Sequence, residues 1–149
     1  PWLRWAASED ISVWMPVEYG VPVRRAQAFV LQFDPDALHD ALVAHPAKVV
    51  LSEVQYTHAN WALKLLESLP NLSVEISRFV GTDGIADLLK IAGPHRVLFG
   101  SRFPESSMAA QLYYLHNSGL DERTLVAARH DSNAAVFDGR FFQLNQDGD

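Results

Sequence analysis

Arg102 follows the apolar run Arg96-Val97-Leu98-Phe99-Gly100 and a Gly100-Ser101 turn, just ahead of Pro104-Glu105, where a helix is expected to start. An apolar run closed by a turn is the pattern of a buried strand, and in parallel α/β proteins ligands sit at the carboxyl ends of strands. Arg102 is therefore expected on the functional face. Its guanidinium carries a permanent positive charge and a fork of N–H donors, which suits a carboxylate and offers no lone pair to a metal ion. Glu18, Glu53, Glu75, Ser77, Arg78 and Ser101 fall at strand ends by the same reasoning. Two chemistries fit this set. Arg102 can pair with Glu53, or another of these carboxylates, as an internal ion pair. Alternatively, Arg102 and Arg78 clamp a substrate carboxylate while Glu53 or Glu18 acts as general base. Structural ion pairs are the commoner arrangement in proteins.

The six histidines, at positions 39, 45, 58, 95, 116 and 130, do not share a spacing that gathers them on one face. Turn and helix-end positions are the ordinary places for such residues, so no metal site is assigned to them. His58 is set apart by its place on the loop after Val49-Val54, where it could serve as acid or base. Its plainer role is in the first turn of the next helix. Trp2 and Trp5 are spaced like one helix face, whereas Trp14 and Trp61 fall in core patterns. Gly81-Thr82-Asp83-Gly84 lacks the lysine and spacing of a nucleotide loop, and no Gly-x-Ser-x-Gly elbow occurs.

The elements that must hold these residues recur regularly. Val49-Val54, Leu72-Ser77 and Arg96-Gly100 are apolar strand patterns about 24 residues apart with a helical pattern in each interval, the rhythm of consecutive βαβ units. Trp61, Ala62, Leu65, Leu66 and Leu69 mark one helix, stopped by Pro70-Asn71. Ile85, Leu88, Leu89 and Ala92 mark the next, with Thr82-Asp83 as caps and Gly93-Pro94 as terminator. Upstream, Ile11-Val17 forms a further strand, and Asp36-His45 a helix opened by Asp34-Pro35-Asp36 and closed by Pro46. Ala28-Phe33 has the character of a short strand. Two helices follow Pro104, one reaching about Asn117 and one starting at Asp121. Asn133-Phe137 forms a final turn, and the tail over 140–149 frays.

Composition sets the class. With 149 residues, 48% hydrophobic and 20% charged, the chain holds one domain with one core. A net charge of -6 argues against nucleic acid or an anionic membrane as partner. No apolar stretch approaches the roughly 20 residues of a membrane helix. The absence of cysteine removes disulfides, thiolate metal sites and thiol nucleophiles, and fits a cytoplasmic location. Because the chain opens at Pro1 in a Trp- and Arg-containing segment, it reads as a fragment or processed product.

Four strands each followed by a helix fit either half of an eight-stranded barrel or a small open sheet. The run Phe99-Gly100-Ser101-Arg102-Phe103-Pro104 resembles the Phe-Gly-Ser-Asp-Phe-Pro signature of the amidohydrolase type 2 family. The order of elements from Val49 to Gly139 resembles that family's C-terminal half, with weaker agreement from Val13 to Gly20. This resemblance implies strands five to eight of a (β/α)8 TIM-type barrel, incomplete because a whole barrel takes about 250 residues. It implies a partner too, either the missing N-terminal half or a second copy. Family members usually hold zinc or another divalent metal through a His-x-His pair on strand one, histidines on strands five and six and an aspartate after strand eight. The matching positions here are Pro16, Glu53 and Arg102, so no metal and no other cofactor is expected. The implied activity is hydrolysis or decarboxylation of a small carboxylic or cyclic substrate, metal-independent or degenerate. Catalysis would fall to Glu53, Arg102 and His58, and substrate binding to Arg78, Ser77, Glu18 and Ser101. The alternative is a non-catalytic binding or assembly module.

Overall fold

The computed structural model describes residues 1–18, 33–81 and 83–126. β1 (Val13–Pro16), β2 (Val49–Ser52), β3 (Leu72–Glu75) and β4 (Val97–Leu98) form one sheet in the order β1-β2-β3-β4. Every pairing is parallel, with Val13 beside Val49, Val49 beside Leu72 and Val74 beside Val97. Parallel neighbours require crossovers, and helices supply them: α2 (Pro35–Ala44) precedes β2, α3 (Ala59–Ser68) precedes β3 and α4 (Gly84–Ala92) precedes β4. α1 (Trp2–Ser8) leads into β1, and α5 (Met108–His116) and α6 (Glu122–Val126) follow β4. The βα rhythm expected from the apolar spacing is thus present.

Burial explains why the strands read as continuous apolar runs. Val49, Val50 and Leu51 of β2 are all buried, as are Leu72 and Val74 of β3 and Val97 and Leu98 of β4. The helices bury one stripe against them: Leu38 and Leu42 from α2, Ala62, Leu65 and Leu66 from α3, and Ile85, Leu88, Leu89 and Ala92 from α4. Phe33 stacks on Trp61 with ring centroids 5.1 Å apart, extending this layer. Trp14 departs from the core pattern: it is 41% exposed, because β1 is an outer strand of the sheet. Trp2 and Trp5 do share a helix face and meet edge to face at 6.1 Å.

Local chemistry sets the helix ends. Asp34 Oδ1 accepts from the amides of Asp36 and Ala37, both at 3.1 Å, and Pro35 occupies the first turn, where a missing amide proton is harmless. α4 differs from expectation. Asp83 stands at the cap position with no side-chain cap bond, because its backbone is left-handed (φ 57) rather than extended. Thr82, its expected partner, lies outside the described residues. Gly93 ends α4 at φ 76, a conformation that glycine tolerates freely.

Pro104-Glu105 does not open a helix. The Arg102 carbonyl accepts from the Ser106 amide at 3.0 Å, closing a turn, and α5 begins only at Met108. The strand end is correspondingly shorter than the apolar run, with β4 stopping at Leu98. The segments Ala28-Val30, Leu31-Gln32 and Asn133-Phe137, the tail and His130 lie outside the described residues.

Candidate functional site

Each strand ends in a polar residue at the same edge of the sheet. Glu18 follows β1, Glu53 follows β2, Glu75 closes β3 with Ser77 and Arg78 just beyond, and Ser101 and Arg102 follow β4. Parallel pairing brings these ends together, so residues far apart in sequence meet. Arg78 Nη1 lies 2.7 Å from Glu18 Oε2 and 3.0 Å from Glu53 Oε2, bridging the two carboxylates. Arg102 Nε lies 3.3 Å from the other oxygen of Glu53, and its Nη2 lies 3.2 Å from Glu105. Gln55 Nε2 donates to the free oxygen of Glu18 at 2.6 Å. The result is a chain of alternating charge, Glu18, Arg78, Glu53, Arg102 and Glu105.

The backbone is bent to make it. Glu53 and Arg102 both adopt the left-handed region, at φ 60 and φ 53, which disfavours residues with a Cβ. Such conformations persist where the surroundings fix them, and they concentrate at functional sites. Arg102 Nε is buried yet makes no hydrogen bond, although Glu53 is within ion-pair range. Burial alone would depress Arg78, but its hydrogen bonds to Glu18 and Glu53 and their charges outweigh that, so its guanidinium sits above its ordinary value.

Glu75 is the buried carboxyl of the group, 6% exposed. Its Oε1 accepts from the Ser77 amide at 2.6 Å and its Oε2 from the Ser77 hydroxyl at 2.8 Å. Gly100 makes room for it, since a Cβ there would lie 1.7 Å from Oε1. Desolvation raises the Glu75 pKa above the ordinary 4.5, the Ser77 hydrogen bonds pull it back, and the nearby Glu53 charge adds to the rise.

Of the residues expected from sequence, Glu18, Glu53, Arg78 and Arg102 form one network, and Ser77 belongs with Glu75. His58 stands apart. Its Nδ1 faces the Gln55 amide at 3.2 Å, ending a short 3-10 turn over Tyr56–His58, and its ring lies against Trp61 at 5.4 Å. Ser101 Oγ accepts from the Phe103 amide at 3.3 Å and, among the described residues, bonds to none of the charged side chains. Gln55 and Glu105 joined the network without being expected. Gln55 lies two residues after Glu53 on the same strand-end loop, which was a usable signal, whereas Glu105 was assigned to a helix start.

The chain's residues 6–135 match the family model described as amidohydrolase. The chain belongs to the amidohydrolase family. No curated protein sequence is significantly similar to it. Among solved structures, the 2,6-dihydroxybenzoate decarboxylase from Rhizobium is similar, with TM-score 0.63, 12% identity, 89% of this chain covered and 53% of that one. The 5-carboxyvanillate decarboxylase from Sphingomonas paucimobilis gives 0.59 at 12% identity, covering 89% and 50%. A Pseudomonas putida protein named as a 2-pyrone-4,6-dicarboxylic acid hydrolase gives 0.62 at 16% identity, covering 94% and 56%. At these identities the likeness speaks for the fold. These neighbours are TIM-barrel amidohydrolases, and the chain spans about half the length of each, so its four parallel strands make half of a (β/α)8 barrel.

The metal that the family implies meets a poor donor set in this half. Among the described residues no three histidine, aspartate or glutamate side chains converge in a way that could hold a metal ion. Glu53, at an expected ligand position, has both oxygens facing guanidiniums, and Arg102 brings a fixed positive charge to another. A divalent ion there would be repelled by both arginines and would have to displace them. The described strand-end residues do not fit the ion.

Proposed function

We propose that the protein hydrolyses or decarboxylates a small cyclic carboxylic acid without a divalent metal, with the arginines of the strand ends in the role of electrophile and anion clamp. The observation that carries this reading is the convergence of Arg78 and Arg102 on the single carboxylate of Glu53. A substrate carboxylate entering beside Arg102 replaces Glu53 as its partner, which leaves Glu53 able to take a proton from the substrate or from an attacking water. The unbonded Nε of Arg102 supplies one of the two parallel N–H bonds such a carboxylate needs. Glu18 holds Arg78 in place, Ser77 and Ser101 supply hydroxyls at the rim, and His58, apart from the network with Nδ1 accepting from the Gln55 amide, offers its Nε2 as a second acid or base from the loop after β2. The substrate class agrees with the names of the similar structures, each of which is named for a ring bearing at least one carboxyl group. The complementary strands come from the rest of the polypeptide or from a second copy. The cysteine-free composition suits the reducing cytoplasm.

A second reading has its own support: every charge of the network is paired, three carboxylates against two guanidiniums, so its ion pairs can replace the charge balance of a metal while the face binds a ligand without turnover, or serves assembly. Arg102→Ala in the full-length protein separates the two. With a panel of cyclic mono- and dicarboxylates in chelator-treated buffer, the catalytic reading expects wild-type turnover and a loss of about 10²-fold or more in kcat/KM in the variant. Absence of wild-type turnover, with Arg102→Ala altering only thermal stability, would leave the binding or assembly module.

A further inference from the structure

We propose that Glu75 stores a proton at the strand ends and that the Ser77 hydroxyl is its outlet to the substrate, a relay that rests on the catalytic reading above. The geometry isolates Glu75 from the charge network beside it. Among the described residues no cationic side chain lies within ion-pair distance of its carboxyl, because Arg78 is held by Glu18 and Glu53, and Arg102 by Glu53 and Glu105. Burial of this carboxyl beside the Glu53 carboxylate at the neighbouring strand end, with no cation within ion-pair distance, favours its neutral form. Burial is the largest influence on its titration and acts in that direction. Glu53 acts the same way, whereas Ser77 and, least, Arg102 oppose it.

Ser77 is placed to connect this acid to the open face. Its hydroxyl touches Glu75 Oε2 at 2.8 Å, its amide fixes the other oxygen at 2.6 Å, and the residue itself is part exposed beside Arg78. The space for the carboxyl depends on Gly100, where any Cβ would overlap Oε1. In the relay, the Ser77 O–H bond breaks as its proton passes to the reacting atom of the substrate, and the Glu75 proton moves to Ser77 Oγ in the same step. In the store the 2.8 Å contact runs from the Glu75 O–H to Ser77 Oγ; after transfer Glu75 is ionised and the same contact runs from the Ser77 hydroxyl to Oε2, until a proton from solvent restores the acid after product leaves. Glu53 as base and Glu75 as acid then hold opposite protonation states within one site, the division of labour that separates two carboxyls by environment.

Infrared difference spectra of the full-length protein test the store. Wild type minus Glu75→Gln at neutral pH is expected to show a protonated-carboxyl band, and its absence would overturn the proposal. Should Glu75→Gln fail to fold, Gly100→Ala, which evicts the carboxyl, gives the same comparison. Kinetics test the outlet: on the cyclic carboxylate panel Ser77→Ala is expected to lower kcat by about 10²-fold with KM little changed, and Ser77→Thr to restore most of it. An unchanged kcat in Ser77→Ala would defeat the relay even with the band present. If the wild type turns over none of the panel, the proposed reaction fails, and the infrared band still decides whether Glu75 holds a proton.

Discussion

Arg78 keeps two carboxylates from facing each other across a partly dry surface. Replacing it with alanine leaves Glu18 and Glu53 without their shared cation. The side chain is 28% exposed, so the loss is expected to be smaller than for a buried pair, about 1 to 2 kcal/mol by urea denaturation. Salt screens the pair, and the difference between wild type and Arg78→Ala is expected to shrink at high ionic strength. Glu75 makes the opposite contribution. Its native pKa is raised above the ordinary 4.5, so as pH climbs past that value the unfolded chain gives up the proton while the native protein keeps it. Bound protons then favour the native state only at low pH, and stability falls with rising pH until the native carboxyl itself ionises. Glu75→Gln is expected to remove that slope from a series of denaturation curves measured upward from pH 4.5. A variant curve parallel to wild type throughout would show that the native and unfolded carboxyls titrate alike.

Arg96 shows how a side chain can join elements. Its Nη1 donates to the carbonyls of Leu66 and Leu69 at 2.9 Å and Leu72 at 3.2 Å, and its Nε to Ala92 at 2.8 Å. The guanidinium therefore gathers the ends of α3 and α4 and the start of β3, where helix carbonyls lack partners and carry negative partial charge. Arg96→Met keeps the length and apolar stem but removes the guanidinium donor from these carbonyls, of which Leu69 keeps the Leu72 amide at 3.2 Å, and is expected to cost about 2 to 4 kcal/mol. The Asp34 cap is a smaller device, and Asp34→Ala is expected to cost about 1 kcal/mol. Both are measurable as shifts in the midpoint of thermal or chemical unfolding. These two residues mark what the amino-acid order made legible. Asp34-Pro35-Asp36 announces a helix start through local hydrogen bonding alone, and the apolar spacing of α3 and α4 likewise acts within one segment. Arg96 was read only as the first residue of a strand, since its acceptors lie on segments up to 30 residues away. The strand-end acids and arginines were legible as a set, because β-strand ends are visible in sequence. The Arg102–Glu53 pair was among the pairings the residue types suggest, whereas the place of Arg78 between Glu18 and Glu53 was not legible, because it depends on the left-handed turn at Glu53, and nothing in that residue type announces a positive φ.

At the scale of the whole molecule, the sheet decides behaviour. β1 and β4 are its outer strands, each hydrogen-bonded to a neighbouring strand on one side only among the described residues. In the similar barrels the sheet closes on itself, whereas this chain spans 50 to 56% of their length. Open parallel edges leave backbone amides and carbonyls seeking partners, which favours pairing with another chain. The 41% exposed Trp14 on β1 adds an apolar contact at that margin. The 149-residue chain expressed by itself is therefore expected to elute from size-exclusion chromatography, with light scattering, at a mass above that of one copy. Charged substitution at Trp14 is expected to shift it toward the monomer, as lysine on an edge strand does elsewhere. The same chain joined to the strands that complete the barrel is expected to lose that self-association and to melt at a higher temperature. A compact monomer that melts cooperatively without those strands would show that α1 to α6 alone protect the edges, and the strand-end site would then stand on a half-barrel sufficient in itself.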